Sequence, residues 1–209
     1  IVFALCLNEV RNAKFKKLVQ TISYLPYFIS VVVVVSILFD FGKSNGLFTQ
    51  AAAFFGWEGG AVISAPEWFR TLYIGSNLWQ HLGYNSIIFI SALAAIDPTL
   101  YEAARIDGAN RWQQTLHVTL PGIASTIVVL LILRLGQIMS VGYEKVILMY
   151  GPSNYETADV IASYVHRIGI INAESSYSTA INLFNSVVNM VVLFTANFIS
   201  RRVNESSIW

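Results

Sequence analysis

The sequence predicts an all-α protein, a polytopic bundle of membrane helices. Of the 209 residues, 55% are hydrophobic and only 12% are charged, whereas about 25% of residues are charged in a typical soluble protein. The hydrophobic residues gather in runs close to the length of about 20 residues that a helix needs to span a bilayer. No repeat or linker divides these runs, so we expect one membrane domain over residues 1–209.

Four apolar runs are long enough to be complete spans. Their approximate limits are residues 18–39, 68–95, 121–140 and 178–200. The first run contains Pro26, so we expect a kink at residues 24–27, which a membrane bundle tolerates. The intervening segments 40–67 and 141–177 are mixed or polar, and we predict them to be loops.

The first residues predict a chain that is truncated at its N-terminus. Residues 1–7 are apolar but too few to cross a bilayer. No methionine and no positively charged leader precede them. We therefore interpret them as the remnant of an earlier helix.

The basic residues indicate which side of the membrane each loop faces. The segments on one side hold eight of them, and the segments on the other side hold four. Because cytoplasmic loops are enriched in Lys and Arg, we place the richer set in the cytoplasm. The richer set is Arg11, Lys14, Lys16, Lys17, Arg105, Arg111, Arg201 and Arg202, and the poorer set is Lys43, Arg70, Lys145 and Arg167.

The polar stretch 94–122, between the second and third spans, has helix signals of its own. Asp97 is a good N-cap residue, and Pro98 stands at the first helical position, where its missing N–H costs nothing. Good helix formers continue to Ile106, and Gly108 then permits a sharp change of direction. We predict a short helix, a glycine break and a second short helix. An ordinary capped cytoplasmic loop is the simpler interpretation of the same signals.

The letters YEAARIDGANRWQQTLHVTLPG in this stretch resemble the EAA loop of binding-protein-dependent ABC importer permeases. The longer stretch IDPTLYEAARIDGA is similar to the carbohydrate-importer branch of that family. The later LRLGQIMSVGYEKVILMYGPSNYETADVIASYVHRIGI and NFISRRVNE are similar to its polysaccharide and oligosaccharide permeases. The resemblance covers nearly the whole chain and implies a type I permease of about six spans, of which four and a remnant are present. The matching loop positions are Glu102, Ala103, Ala104, Gly108, Val118, Leu120 and Pro121.

The resemblance also implies a role for the loop, which we place at residues 96–120. Such a loop is a coupling helix that docks in a cleft of a separate cytoplasmic ATPase. We expect Tyr101, Arg105 and Gly108, which recur at helical spacing, to share one contact face. The full set of expected coupling residues is Tyr101, Glu102, Ala103, Ala104, Arg105, Asp107 and Gly108.

The partners and cofactors follow from the same resemblance. It implies a second homologous permease, two ATPase subunits, an extracytoplasmic solute-binding protein and a carbohydrate substrate, in a bacterial cytoplasmic membrane. ATP and Mg²⁺ would be bound by the ATPase, and this chain would hold no cofactor and would not be an enzyme. The sequence has no GxxxxGK[ST] phosphate loop. The net charge of +1 gives no indication of nucleic-acid binding.

Polar residues in or near the spans are candidates for a substrate path. Arg134 lies within the third span, where an ionisable group is costly and usually faces a cavity or a partner. It either lines the path, where its five donors suit sugar hydroxyls or a uronate carboxylate, or it pairs structurally with a neighbouring helix. The asparagines of the last span either bind sugar or hydrogen-bond other helices. The other candidates are Gln137, Tyr143, Asn182, Asn185 and Asn189.

Other conspicuous side chains have structural interpretations. We expect Cys6 to be buried in its apolar run. We expect His81 to be a hydrogen-bonded packing residue, because the three histidines are too scattered in the sequence to suggest a metal cluster. Trp57 and Trp68 are predicted to lie at the membrane–water boundary.

Two other classes of protein are alternatives to an importer permease. A secondary transporter needs coupling-ion sites, but the predicted spans contain no Asp or Glu. A membrane-embedded enzyme needs a constellation of nucleophile, base or metal ligands, and the sequence offers none. The secondary transporter remains the principal alternative.

Overall fold

The computed structural model describes residues 1–139 and 142–204. All regular elements within these residues are helical, so the predicted all-α class is confirmed. Short 3₁₀ turns occur at Leu25–Phe28 and Val62–Ser64, and π-helical turns at Thr115–Thr119 and Arg167–Ile171. The α-helices are α1 (Val2–Glu9), α2 (Ala13–Tyr24), α3 (Val31–Gly42), α4 (Leu47–Phe54), α5 (Pro66–Ala94), α6 (Pro98–Ile106), α7 (Arg111–Gln114), α8 (Leu120–Gly122), α9 (Ala124–Leu135), α10 (Tyr143–Met149), α11 (Tyr155–Ala158), α12 (Ile161–His166) and α13 (Ser175–Asn204).

Most of the apolar helices that could cross a membrane are bent. Within the described residues one helix, Ser175–Arg201, is long and apolar enough by itself. Three further pairs qualify only when the two helices are joined across a bend, which gives up to four spans. The bends are 99° between Ala13–Phe28 and Val31–Gly42, 67° between Pro66–Ala94 and Pro98–Ile106, and 61° between Arg111–Gly122 and Ala124–Leu135.

The first predicted span is a broken helix rather than a kinked one. α2 ends at Tyr24, and a 3₁₀ turn that contains Pro26 follows it. Ser30 then starts α3 as an N-cap, with the Val33 N–H donating to its Oγ at 3.4 Å. Proline removes one helical hydrogen bond, and a new cap four residues later supplies a fresh helix start. Together they convert the expected kink into a 99° break.

The third predicted span also has different limits. The sequence predicts it at residues 121–140, but α9 begins at Ala124 after a break at Ile123 and ends at Leu135. Turns follow at residues 136–139, and Ser140 lies outside the described residues. Gly136 is the C-cap of α9, and a glycine at this position weakens helix continuation.

The two segments predicted to be loops contain helices. α4 lies within residues 40–67, and α10, α11 and α12 lie within residues 142–177. The sequence does not predict these helices because each segment is polar on average. Only short faces of the helices are apolar. Val146, Met149 and Ala158 from these helices are buried in a hydrophobic core with Val34, Val62 and Phe69.

The chain folds into two compact units. Unit 1 comprises Ile1–Ile22, Leu82–Met139 and Val187–Trp209, and unit 2 comprises Ser23–His81 and Ser140–Ser186. Unit 1 has a small core in which Leu93 and Ile123 are buried against α1. Unit 2 holds the larger core described above.

Candidate coupling hairpin and substrate path

The polar hairpin has the local structure that its sequence predicts. The Thr99 N–H donates to Asp97 Oδ1 at 2.9 Å, which caps α6, and Pro98 occupies the first turn. α6 then continues to Ile106. The first arm of the hairpin is therefore fixed by capping chemistry within a few residues of chain.

The tip of the hairpin is a Schellman turn centred on Gly108. The Ala109 N–H donates to the Ala104 carbonyl at 2.8 Å, and the Gly108 N–H donates to the Arg105 carbonyl at 3.1 Å. Gly108 has a φ of 79°, in the left-handed region that this turn requires of its C′ residue. The tip conformation therefore depends on a glycine at this position.

The second arm begins with a reciprocal cap. The Gln113 N–H donates to Asn110 Oδ1 at 2.9 Å, and the Asn110 N–H donates to Gln113 Oε1 at 2.8 Å. This capping box starts α7, and the helix continues through the π turn Thr115–Thr119 into α8. Both arms thus have their own N-terminal caps.

A hydrogen bond joins the two arms near their bases. The Tyr101 hydroxyl lies 3.0 Å from Thr119 Oγ1, and Thr119 is buried. Tyr101 is consequently only partly exposed, whereas Arg105 and Gly108 are exposed. The contact face expected from Tyr101, Arg105 and Gly108 is therefore divided, because Tyr101 packs inside the hairpin.

The outer surface of the hairpin combines small, charged and apolar side chains. Ala103 and Ala104 border a cleft of about 520 Å³ that extends to Gly108 and His117. Ile106 is 87% exposed and Trp112 is 74% exposed. Such apolar exposure beside charged groups is typical of a surface that meets a partner. Glu102 and Asp107 are exposed on the same hairpin.

An ion pair that the sequence did not suggest joins α1 to the hairpin. Arg111 Nη1 donates to Glu9 Oε2 at 3.0 Å, across 102 positions of sequence. The two residues, with Cys6 and Trp112, line a cleft of about 710 Å³. The prediction that Cys6 is buried is wrong. α1 buries Ala4 and Leu7, and Cys6 points away from that packed side.

Arg134 is exposed and lines a cleft in unit 1. The cleft has a volume of about 350 Å³, and Asn85 is its other polar side chain. Among the residues that the structure describes, the three ion pairs involve other side chains. The structural ion pair considered for Arg134 is therefore not formed within this part of the chain. Gln137, three residues later, is also exposed.

The asparagines of α13 differ in their surroundings. Asn189 Oδ1 accepts a hydrogen bond from the Met139 N–H at 3.2 Å and so ties α13 to the turns that follow α9. Asn185 is partly buried, and within residues 1–139 and 142–204 its Oδ1 has no hydrogen-bond partner. Asn182 is exposed. The helix-bonding interpretation thus has direct geometric support at Asn189.

We expect Asn189→Ala to destabilise the protein by about 1 kcal/mol, the usual worth of one such hydrogen bond in a membrane bundle. The measurement is thermal unfolding of the purified chain in detergent. Asn182→Ala is the matched control, since it truncates an exposed asparagine of the same helix. Equal melting of the two variants would show that the Met139 hydrogen bond contributes nothing.

Lys145 is a buried cation that sequence reasoning missed. It is 5% exposed, and its Nζ lies 5.8 Å from the centre of the Tyr73 ring. Among the residues that the structure describes, Nζ has no hydrogen-bond partner. Burial lowers the pKa of the Lys145 ammonium from 10.5 to about 8. The sequence predicts Lys145 only as one of the four basic residues in the non-cytoplasmic loops. The apolar run that begins at Val146 was the signal that this short helix packs into the core.

The remaining candidates have structural environments. His81 Nδ1 lies 3.0 Å from the Asn77 carbonyl oxygen, and its ring packs edge-on against Tyr27. The Tyr143 ring is tilted beside the ring of His166 at 6.2 Å. Trp57 Nε1 donates to the Gly60 carbonyl at 3.0 Å. In the described part of the chain, His, Cys, Asp and Glu form no group of three suited to a metal.

The bent apolar helices and the capped polar hairpin between them are features of an α-helical membrane protein. The chain belongs to the family described as "Binding-protein-dependent transport system inner membrane component", whose model matches residues 1–205. The resemblance drawn from the EAA letters is thereby confirmed. A member of this family is a transport subunit and is not by itself a catalytic enzyme.

Similar proteins include two from Bacillus subtilis (strain 168). The polygalacturonan/rhamnogalacturonan transport system permease protein YteP is 43% identical over 100% of this chain and 65% of its own length. Protein LplB is 40% identical over 100% of this chain and 66% of its own length. This chain therefore spans slightly less than two thirds of these two relatives.

Two solved structures share the fold. A bacterial ABC transporter for import of the acidic polysaccharide alginate has a TM-score of 0.92 and 45% identity, over 97% of this chain and 71% of that one. A bacterial alginate ABC transporter in complex with an alginate pentasaccharide-bound periplasmic protein has a TM-score of 0.94 and 44% identity, over 99% and 72%. The permease fold predicted from the sequence is therefore confirmed.

Proposed function

We propose that this chain is a permease subunit of an ATP-driven ABC importer for oligosaccharides. The observation that carries the proposal is the hairpin, which holds the EAA residues on the capped helix α6, directly before a fixed, exposed turn at Gly108. Two relatives carry names that refer to polygalacturonan and alginate, both of which are acidic polysaccharides. Their names support a carbohydrate as the transported compound.

The hairpin supplies the contact with a separate ATPase in this proposal. Glu102 and Arg105 are exposed and make charge-assisted hydrogen bonds at the edge of the ATPase cleft. Ala103 and Gly108 allow close approach of the backbone, and Asp107 adds a further acceptor beside the tip. Tyr101 and Ala104 support the hairpin from its partly buried side. Closure of the ATPase dimer on ATP and Mg²⁺ moves the hairpins and switches the permease pair between its inward-open and outward-open states.

The complete importer in this proposal contains several chains. A second, homologous permease completes the path, two ATPase subunits bind the two hairpins, and an extracytoplasmic solute-binding protein delivers the sugar. The assembly lies in the bacterial cytoplasmic membrane. Arg134, Gln137, Tyr143, Asn182 and Asn185 are the side chains proposed for the sugar path, and Asn189 is assigned to helix packing. This chain binds no cofactor of its own.

The proposal is tested by reconstituting the complete transporter in vesicles with its binding protein. We expect uptake of a labelled oligosaccharide that requires ATP and the binding protein and continues after the proton and sodium gradients have been collapsed. Vesicles that lack the ATPase subunits are the control. Uptake driven by an ion gradient without ATP would support the secondary transporter instead.

A further inference from the structure

The short helix α4 has an apolar outward face. Thr49 and Ala52 are buried on its packed face. The opposite, outward face consists of Leu47, Ala51 and Phe54, which recur at helical spacing and are exposed. A surface helix of a soluble domain turns charged or polar residues outward. The outward face of α4 therefore needs an apolar environment that the described part of the chain does not supply.

The outward face has few groups that a protein partner could recognise. The sequence from Ser44 to Trp57 contains no charged residue. Gln50, at the edge of the face, already donates to the Asn45 carbonyl at 3.0 Å. A protein interface carries about one hydrogen bond per 100–200 Å² and is enriched in Arg. A layer of lipid requires neither, so the composition of the face favours lipid.

Two hydrogen bonds fasten α4 to the end of a candidate membrane span. Thr49 Oγ1 donates to the Gly42 carbonyl at 2.9 Å and accepts from the Val62 N–H at 3.2 Å. Gly42 is the last residue of α3, and α3 is the second half of a bent pair that qualifies as a span. Val32 and Phe39 of α3 are exposed as well. α4 therefore begins where the exposed apolar surface of this span ends.

The tip that follows α4 presents two phenyl rings in a fixed conformation. The Trp57 N–H donates to the Ala52 carbonyl at 3.0 Å in a Schellman turn, and Gly56 has a φ of 92°. Phe54 and Phe55 pack edge-on with ring centres 5.5 Å apart, and each is 86% exposed. Phe, Leu and Trp are the residues that interfacial membrane helices insert among lipids.

We propose that α4 and the Phe54–Phe55 tip form an interfacial element that lies in the plane of the membrane, with its outward face among phospholipid headgroups and upper acyl chains. α4 has eight residues and is about 12 Å long, too short to cross a hydrocarbon core about 30 Å thick. Its packed face meets the protein instead of water. Because the distribution of basic residues predicts segment 40–67 outside the cytoplasm, the element lies in the outer leaflet. This inference goes beyond the proposed importer function and does not depend on it.

Photo-cross-linking in the complete transporter identifies what covers the tip. The photoreactive analogue p-benzoylphenylalanine replaces Phe54, which it closely resembles, and the transporter is reconstituted in phospholipid vesicles without ATP or sugar. We expect adducts that add the mass of one phospholipid to this chain. The control places the same analogue at Glu156, which is exposed on the polar helix α11 and should give no lipid adduct. Adducts from position 54 to the binding protein, the second permease or another segment of this chain would overturn the inference.

A fluorescent label measures the depth and the tilt of α4. In a transporter freed of its other cysteines by changes that include Cys6→Ser, Leu47→Cys and Phe54→Cys each carry the label NBD. These positions are about 10.5 Å apart along the helix, so a helix in the membrane plane places both at the same depth. Lipids with a nitroxide near the headgroup should quench both labels at least about twofold more than lipids with a nitroxide at the acyl end.

The reference for this measurement is Glu156→Cys, whose label should remain in water and be quenched by neither lipid. Labels at Leu47→Cys and Phe54→Cys that are quenched no more than this reference would overturn the inference. So would stronger quenching of either label by the acyl-end nitroxide, because the helix would then be inserted deeply or upright.

The outcomes separate this inference from the proposed function. Lipid adducts at position 54 in vesicles that show no ATP-driven uptake would support the interfacial element and contradict the importer. Adducts to protein alone in vesicles with normal ATP-driven uptake would leave the importer standing and exclude the interfacial element.

Discussion

Replacement of Gly108 with valine is expected to abolish coupled uptake. Gly108 has a φ of 79°, and an added Cβ would meet nothing within 4 Å, so the whole penalty arises in the backbone. An L-residue in the left-handed region costs about 1–2 kcal/mol, and a β-branched residue is a rarer occupant still. The tip should therefore leave its Schellman turn, and the exposed face of the hairpin should be lost with it.

The measurement combines ATP-driven uptake with co-purification of the ATPase subunits. Gly108→Asn is the matched control, because asparagine tolerates the left-handed region and should retain much of the uptake. Membrane insertion should be equal for both variants, since the substitution lies outside the apolar helices. Wild-type uptake and ATPase binding by Gly108→Val would show that the tip conformation is unimportant.

Replacement of Lys145 with methionine is expected to stabilise the protein by about 2 kcal/mol near neutral pH. The Lys145 ammonium is buried beside Tyr73, and the described part of the chain offers it no hydrogen-bond acceptor. Replacement of a buried ion pair by apolar side chains of similar volume is often neutral or stabilises a fold by about 1–4 kcal/mol, and Lys145 has no ion pair to lose among the described residues. The cation–π contact with Tyr73 offsets part of the burial cost, which is why we expect a value below the upper limit.

The stabilisation gained by Lys145→Met should decrease as the pH rises. Burial lowers the pKa of Lys145 from 10.5 in an unfolded chain to about 8 in the fold. Between these values the unfolded state binds more protons, so the stability contributed by this group rises with pH. The destabilisation caused by burying the charged Lys145 ammonium is fully present below about pH 8 and is lost as the pH approaches 10.5.

Thermal unfolding in detergent at pH 7 and pH 9.5 measures this effect. The difference between Lys145→Met and the wild type should be largest at pH 7 and smaller at pH 9.5. Lys43→Met is the control, because Lys43 is exposed and paired with Asp40 at 3.0 Å. A Lys145→Met variant that melts below the wild type at pH 7 would show that the ammonium has a stabilising partner.

The hairpin was predictable because its signals are local. The Asp97 cap, the glycine tip and the reciprocal Asn110–Gln113 cap each act within five residues of chain. The break after Pro26 was anticipated only as a kink, since its angle depends on a second cap at Ser30. Capping residues can be recognised directly in the sequence. The angle between two helices cannot, because it depends on what each helix packs against.

The features that sequence reasoning missed depend on residues far apart. The Glu9–Arg111 ion pair joins residues that are 102 positions apart, and the burial of Lys145 depends on Tyr73 from another helix. Such pairs leave no periodic pattern. Similarly, the helices α10 to α12 are short, and polar residues separate their few apolar residues in the sequence. These apolar residues come together only in the folded core of unit 2.

The hydrogen bond between Tyr101 and Thr119 has a mechanical consequence. It closes the open side of the hairpin, 3.0 Å between the two oxygens, between the helix that follows α5 and the turn that precedes α9. If the hairpin couples to an ATPase as proposed, this link would make a displacement applied at Gly108 tilt both arms together. The proposed coupling would then depend on the stiffness of the hairpin as well as on its contacts with the ATPase.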